Sequence, residues 1–97
     1  MKVSKFEISD FVPAKSIDKV LLDLVNREVK SRKSQKISQR ELAKRSGVSY
    51  ASIRRFETTG NISLYALFCI ANCLGCLEDF DSLFKPRPIT NLKELFN

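Results

Sequence analysis

Three cysteines and a dense set of arginines and lysines are the side chains here that invite a chemical reading. Cys69, Cys73 and Cys76 recur at spacings of four and three, along one helical stripe. Thiolates so placed can bind metal, but structural zinc wants four ligands and the chain contains no histidine. The stripe coincides with the expected buried side of its helix, so the thiols read as small core hydrophobes, with a redox switch as the lesser alternative. The lack of histidine also removes the usual general base from any Ser or Cys nucleophile, leaving only Lys or a carboxylate for that task. Glu78, Asp79 and Asp81 cluster at a helix start, where the helix dipole accounts for them. There is no glycine-rich phosphate loop. No catalytic residue, cofactor or metal is assigned, and the chain is not read as an enzyme.

The basic residues are more informative because of where they lie. The formal net charge is +6 over 97 residues. Residues 1–26 are balanced, with four basic and four acidic side chains, and residues 56–97 hold three basic against five acidic. Residues 27–55 hold ten basic against two acidic. One contiguous third thus carries the whole excess, the footprint expected of a face that meets a polyanion. A solvated helix surface would produce the same count, so charge alone does not decide. Within that segment Arg40, Lys44, Arg45, Arg54 and Arg55 surround one expected helix start.

The elements that must position these residues follow from periodicity and caps. Ser16 caps a helix running to about Lys33, with Asp18 in its first turn and Ile17, Val20, Leu21, Leu24, Val25 and Val29 recurring at three and four. Ser34-Gln35-Lys36 breaks it. Ser38 with Glu41 makes a Ser-x-x-Glu capping box for a second, brief helix that Gly47 ends. Ser49 caps a third, Tyr50 to about Thr58, with Ile53 and Phe56 inward, and Gly60-Asn61 stops it. Ser63 caps a fourth, with Leu64, Leu67, Phe68, Ala71 and Leu74 on its buried side and Gly75 at its end. Leu77 to Phe84 reads as a short fifth helix. The expected organisation is an arm at 1–15, an all-α domain at 16–84 and a tail at 85–97. The arm carries weak alternation around Phe6 and Ile8, and the tail is punctuated by Pro86 and Pro88 and carries Leu92, Leu95 and Phe96.

The stretch from Ile37 to Glu57 joins two capped helices through a glycine-containing turn. Ala43 is small where the helices cross, and Val48 and Ile53 fill the angle between them. Such a unit leaves the start of its second helix projecting, and an α-helix fits the major groove of B-DNA, about 12 Å wide. The residues Ser38-Gln39, Glu41-Leu42-Ala43, Gly47-Val48-Ser49, Ile53 and Phe56-Glu57 closely resemble the Cro/C1 type of helix-turn-helix, from phage repressors and bacterial xenobiotic-response-type regulators. The likeness runs from about Ile17 through Phe84 and implies a five-helix, lambda-repressor-like DNA-binding domain. Tyr50 and Ala51 depart from it, standing where phage members often carry long polar side chains.

That resemblance implies roles for individual residues. Gln39 should contact a phosphate. Ser49, Tyr50, Ala51, Ser52 and Arg55 occupy groove-facing positions, with Arg55 suited to guanine O6 and N7 or else to a phosphate. Tyr50 should meet a thymine methyl or a phosphate, or simply cap the turn. Ala51 offers a methyl contact and Ser52 a phosphate contact. Arg40, Lys44 and Arg54 complete the basic ring, each backbone contact adding salt dependence rather than sequence preference. Arg32 and Glu57 are expected to pair, tying the first helix to the recognition unit.

The size allows one compact core. No apolar run approaches the roughly 20 residues of a membrane helix, and the first residues do not resemble a signal peptide. The chain is therefore expected in the cytoplasm, on the nucleoid, with reduced thiols. Its expected partner is double-stranded DNA, bound by a homodimer on a palindromic operator, as a repressor. The runs Phe56–Leu64 and Leu77–Phe84 also resemble antitoxins partnered with HipA-type kinases, which makes a toxin a further candidate partner. A protein-interaction module that no longer reads DNA is the rival from another class. The basic ring argues against it.

Overall fold

The structure is a computed structural model that describes residues 16–87; the arm at 1–15 and the tail residues Leu92, Leu95 and Phe96 lie outside the described residues. Four α-helices and a 3-10 helix follow one another, and no strand occurs among the described residues. They are α1 (Ile17–Ser34), α2 (Gln39–Ser46), α3 (Tyr50–Thr59), α4 (Leu64–Leu74) and the 3-10 helix Leu77–Ser82.

The caps explain the boundaries. Ser16, Ser38, Ser49 and Ser63 each stand in extended backbone, and each hydroxyl accepts the N–H three residues on. Gly47 and Gly60 close α2 and α3 at φ 80 and 85, a left-handed conformation that a side chain disfavours. At Gly60 a second constraint acts. A Cβ there would lie 2.7 Å from Leu21 Cδ2, so the end of α3 rests directly on α1.

The core sits where α2, α3 and α4 meet. Leu42, Ile53 and Ile70 are fully enclosed and pack with Ile37, Val48 and Leu74, while Phe56 is likewise fully enclosed and Val25 and Ala71 are buried. Val48 and Ile53 fill the angle of the α2–α3 turn, and Ala43 packs against the same cluster. Burying four such large side chains contributes on the order of 2 kcal/mol each. This anchors α3 from below and leaves its outer side free.

Several sequence expectations are corrected. Ile17 is 85% exposed and Val20 52% exposed, because the packing of α1 begins at Leu21, beside Gly60. Deeper in α1 the buried stripe is Val25, Glu28 and Arg32, partly polar rather than apolar throughout. Leu64, expected on a buried side, is also exposed. Helix α4 is apolar almost all round (LYALFCIANCL), so its period cannot identify the buried face, and Ile70, Ala71 and Leu74 hold it. The fifth helix is a 3-10 turn ending at Ser82. Phe80 packs edge-on against Phe68 with ring centroids 4.7 Å apart, whereas Phe84 is fully exposed in a left-handed conformation. Cys69 and Cys73 lie in α4, but Cys76 lies beyond Gly75, so the three are not on one continuous helix. All three are half-buried free thiols packed against the core. Burial, with Asp79 and Glu78 nearby, pushes the Cys76 thiol above its ordinary value.

Candidate nucleic-acid interface

The turn between α2 and α3 is built by short local bonds. The Gly47 N–H reaches Ala43 O at 3.0 Å, and the Val48 N–H donates to Ser46 Oγ at 3.1 Å. Ser49 then accepts the Ser52 N–H at 3.0 Å and donates its own hydroxyl to Ser52 Oγ at 2.8 Å. Ile53 and Phe56 point α3 into the core. The opposite side of α3 is consequently turned to solvent. Ser49, Ala51, Arg54 and Arg55 are exposed, and Tyr50 and Ser52 are half-buried.

Helix α2 contributes Arg40 and Lys44, both exposed, and Gln39, which is half-buried. The Arg40 guanidinium lies over the Tyr50 ring, 4.0 Å from its centroid, and the Arg54 guanidinium approaches the same ring at 5.6 Å. Arg40, Lys44, Arg54 and Arg55 form no ion pair with any described residue. Arg45 is different. It donates to Glu41 at 2.8 Å, which holds the Glu41 carboxyl below its usual range. The expected capping box is therefore half formed: Ser38 takes the Glu41 N–H, while the carboxylate goes to Arg45.

Behind this rim lies a buried polar cluster. Arg32 donates from Nε and Nη2 to the two oxygens of Glu57, both at 2.9 Å, and from Nη1 to Ile37 O at 2.9 Å. Its side chain is only 8% exposed, so the guanidinium belongs to the interior. Gln39 Nε2 donates to Glu57 Oε1 at 2.8 Å. One carboxylate thus joins α1, α2 and α3. The hydrogen bond to Glu57 raises the Arg32 pKa. Burial works to raise the Glu57 carboxyl, but hydrogen bonds from Arg32, Glu28 and Gln39 outweigh it and hold Glu57 below its ordinary value.

Glu28 is the member that sequence reasoning missed. Both its carboxyl oxygens are buried with no donor. Burial first, then the hydrogen bond to Glu57 and the charge of Glu57, raise its pKa to about 8 against a lesser opposing effect of Arg32. A neutral Glu28 resolves one of the two orphaned oxygens, because a protonated carboxyl brings one O–H donor to Glu57. The signal was present in the spacing: Glu28 stands one turn before Arg32 and three residues after Val25, on the stripe that faces the core.

The functional comparison agrees with this geometry. A helix-turn-helix family model matches residues 30–80, from the end of α1 into the 3-10 helix and across the whole interface. The chain belongs to the helix-turn-helix family, of Cro/C1 type. No curated protein and no solved structure matches it. As a helix-turn-helix protein it is a DNA-binding regulator. No described helix is long and apolar enough to cross a membrane.

Proposed function

We propose that this chain is a sequence-specific transcriptional repressor that lays α3 in the major groove of double-stranded DNA, working in the cytoplasm on the nucleoid. The observation that carries this is the division of the basic side chains around the turn. Arg32 and Arg45 are occupied by carboxylates, while Arg40 and Lys44 on α2 and Arg54 and Arg55 on α3 are exposed and without an ionic partner among the described residues. Arg55 is a candidate for bidentate contact with guanine, and Ala51 for a thymine methyl. Ser49 and Ser52 are candidates for short polar contacts, while Arg40, Lys44 and Arg54 suit phosphates. Gln39 keeps its second amide N–H for a phosphate while Glu57 holds the first.

A single recognition helix makes few base contacts, so two copies on a palindromic operator supply the specificity one lacks. The exposed apolar residues Leu77, Leu83 and Phe84 favour a second copy as their cover. Selection of bound sequences from a random duplex pool, repeated over a range of salt, tests the reading. A palindromic consensus with affinity falling steeply in salt is expected. Salt-insensitive or absent binding would overturn it. Sedimentation of Phe84→Glu against the wild type checks the dimer, with a shift to monomer expected.

A further inference from the structure

We infer that Tyr50 is a positioning residue for DNA binding, which holds the Arg40 guanidinium from α2 against the start of α3 and so presents it to a bidentate acceptor on DNA. The inference rests on the DNA-binding reading and sharpens it. Tyr50 is the first residue of α3, and Arg40 is the second residue of α2. They come from two helices, and the turn brings the guanidinium to 4.0 Å from the ring centroid. A guanidinium held over an aromatic face is attracted by the ring without giving up its N–H donors to a carboxylate. Arg40 makes no ion pair with a described carboxylate that would use those donors. Arg45, on the same helix, is held by Glu41 instead.

An exposed arginine ordinarily samples many rotamers, and fixing it on binding weakens affinity. The ring removes part of that search before DNA arrives. Arg54, at 5.6 Å from the same ring, places a second cation nearby and steepens the attraction for an anionic or electron-rich edge. The acceptor with matching geometry is a guanine edge or a phosphate, both of which take two parallel N–H donors.

The test compares Tyr50→Phe, Tyr50→Leu, Arg40→Gln and the Tyr50→Leu/Arg40→Gln double variant, each checked for an unchanged thermal unfolding curve. Binding is measured on the selected duplex and on random duplex. Tyr50→Leu should weaken specific binding roughly five-fold, the scale of an exposed cation–π contact. Tyr50→Phe should recover most of that loss, because a phenyl face still accepts the guanidinium. The double variant should lose little more than Arg40→Gln alone. In the free protein, the Arg40 Nε–H proton should carry a ring-current shift that Tyr50→Leu abolishes and Tyr50→Phe preserves. If Arg40 meets guanine, Arg40→Gln removes one guanine from the selected consensus; if it meets phosphate, binding falls on every duplex and the salt slope drops by about 0.9. Either supports the role of Tyr50. Equal losses for Tyr50→Phe and Tyr50→Leu would show a direct hydroxyl contact and overturn it, as would fully additive variants. Wild type that binds no duplex overturns the DNA reading itself, whereas wild type that binds while Tyr50→Leu binds equally well overturns the positioning role alone.

Discussion

The buried cluster behind the turn and the rim in front of it use the same residue type to opposite ends. In the cluster, Arg32 makes two bonds to one carboxylate and a third to a backbone carbonyl, and little of either side chain meets solvent. On the rim, Arg54 and Arg55 face solvent, and the described residue nearest to partnering Arg40 is an aromatic ring. All four arginines come from the same basic stretch of 27–55. A charge count therefore overstates the surface available to a polyanion, and the carboxylates opposite each arginine correct the count. An interior cation orients helices and responds to removal as a folding defect. Removal of a rim cation is expected instead to change affinity and salt dependence.

The comparison is broken most severely at Arg32. Arg32→Met leaves Glu57 buried beside Glu28 with no cation, and removing one partner of a buried pair costs about 3–5 kcal/mol. Urea unfolding should show that loss directly. A loss near that of a surface substitution would mean that the cluster is open to water.

The rim should behave in the reverse way. Arg55→Ala should weaken binding to the selected duplex by about 1–3 kcal/mol and relax preference at one base pair, with the urea midpoint almost unmoved. Equal weakening on all sequences would assign Arg55 to the backbone. Removing Arg40, Arg54 and Arg55 together should flatten the salt dependence, by about 0.9 in slope for each phosphate that is no longer neutralised.

Within the cluster, Glu28 and Glu57 pull in opposite directions with pH. The folded chain holds the Glu28 proton up to about pH 8, against an ordinary value of 4.5. The folded state therefore binds more protons there than the unfolded chain. This contribution is fully present below about pH 4.5 and is lost as pH rises through about 8. Glu57 is lowered, so its contribution is present above the ordinary carboxylate range and is lost as pH falls below it. Glu28→Gln should raise stability at neutral pH by about 1–3 kcal/mol and remove the alkaline decline while leaving the acid limb in place. Denaturant titrations at pH 5, 7 and 9 measure it. A variant with the wild-type alkaline slope would place the titration elsewhere.

The smallest effect is expected at Arg45. Its bridge to Glu41 is half-exposed and spans one turn of α2, so Arg45→Ala should leave the unfolding midpoint almost unchanged. The contrast with Arg32 would then rest on burial, since both are arginine–glutamate pairs of nearly equal length.

Much of this was legible in the chain itself. Ser38, Gly47, Ser49 and Gly60 act through bonds within a few residues of themselves, so local sequence was enough to bound α2 and α3 and the turn between them. The amphipathic pattern of α3 likewise showed that Ile53 and Phe56 turn inward, which sets Arg54 and Arg55 outward. Pattern failed where no polar face marks orientation, as in α4, and where a helix extends beyond its neighbours, as at Ile17 and Val20. It also failed for groups whose chemistry depends on distant partners. Glu28 is an ordinary glutamate by sequence, and only enclosure beside Glu57 makes it a carboxyl that keeps its proton near neutrality. Arg40 and Arg45 lie on one short helix with like chemistry. Local spacing gives Arg45 its carboxylate four residues away, but only the tertiary angle between α2 and α3 brings the Tyr50 ring under Arg40. The sequence by itself determined the helices and the charge around the turn, because caps and periodicity are local. Which of those charges are left without a carboxylate partner among the described residues was decided by tertiary structure, because burial and pairing depend on residues far apart in the chain.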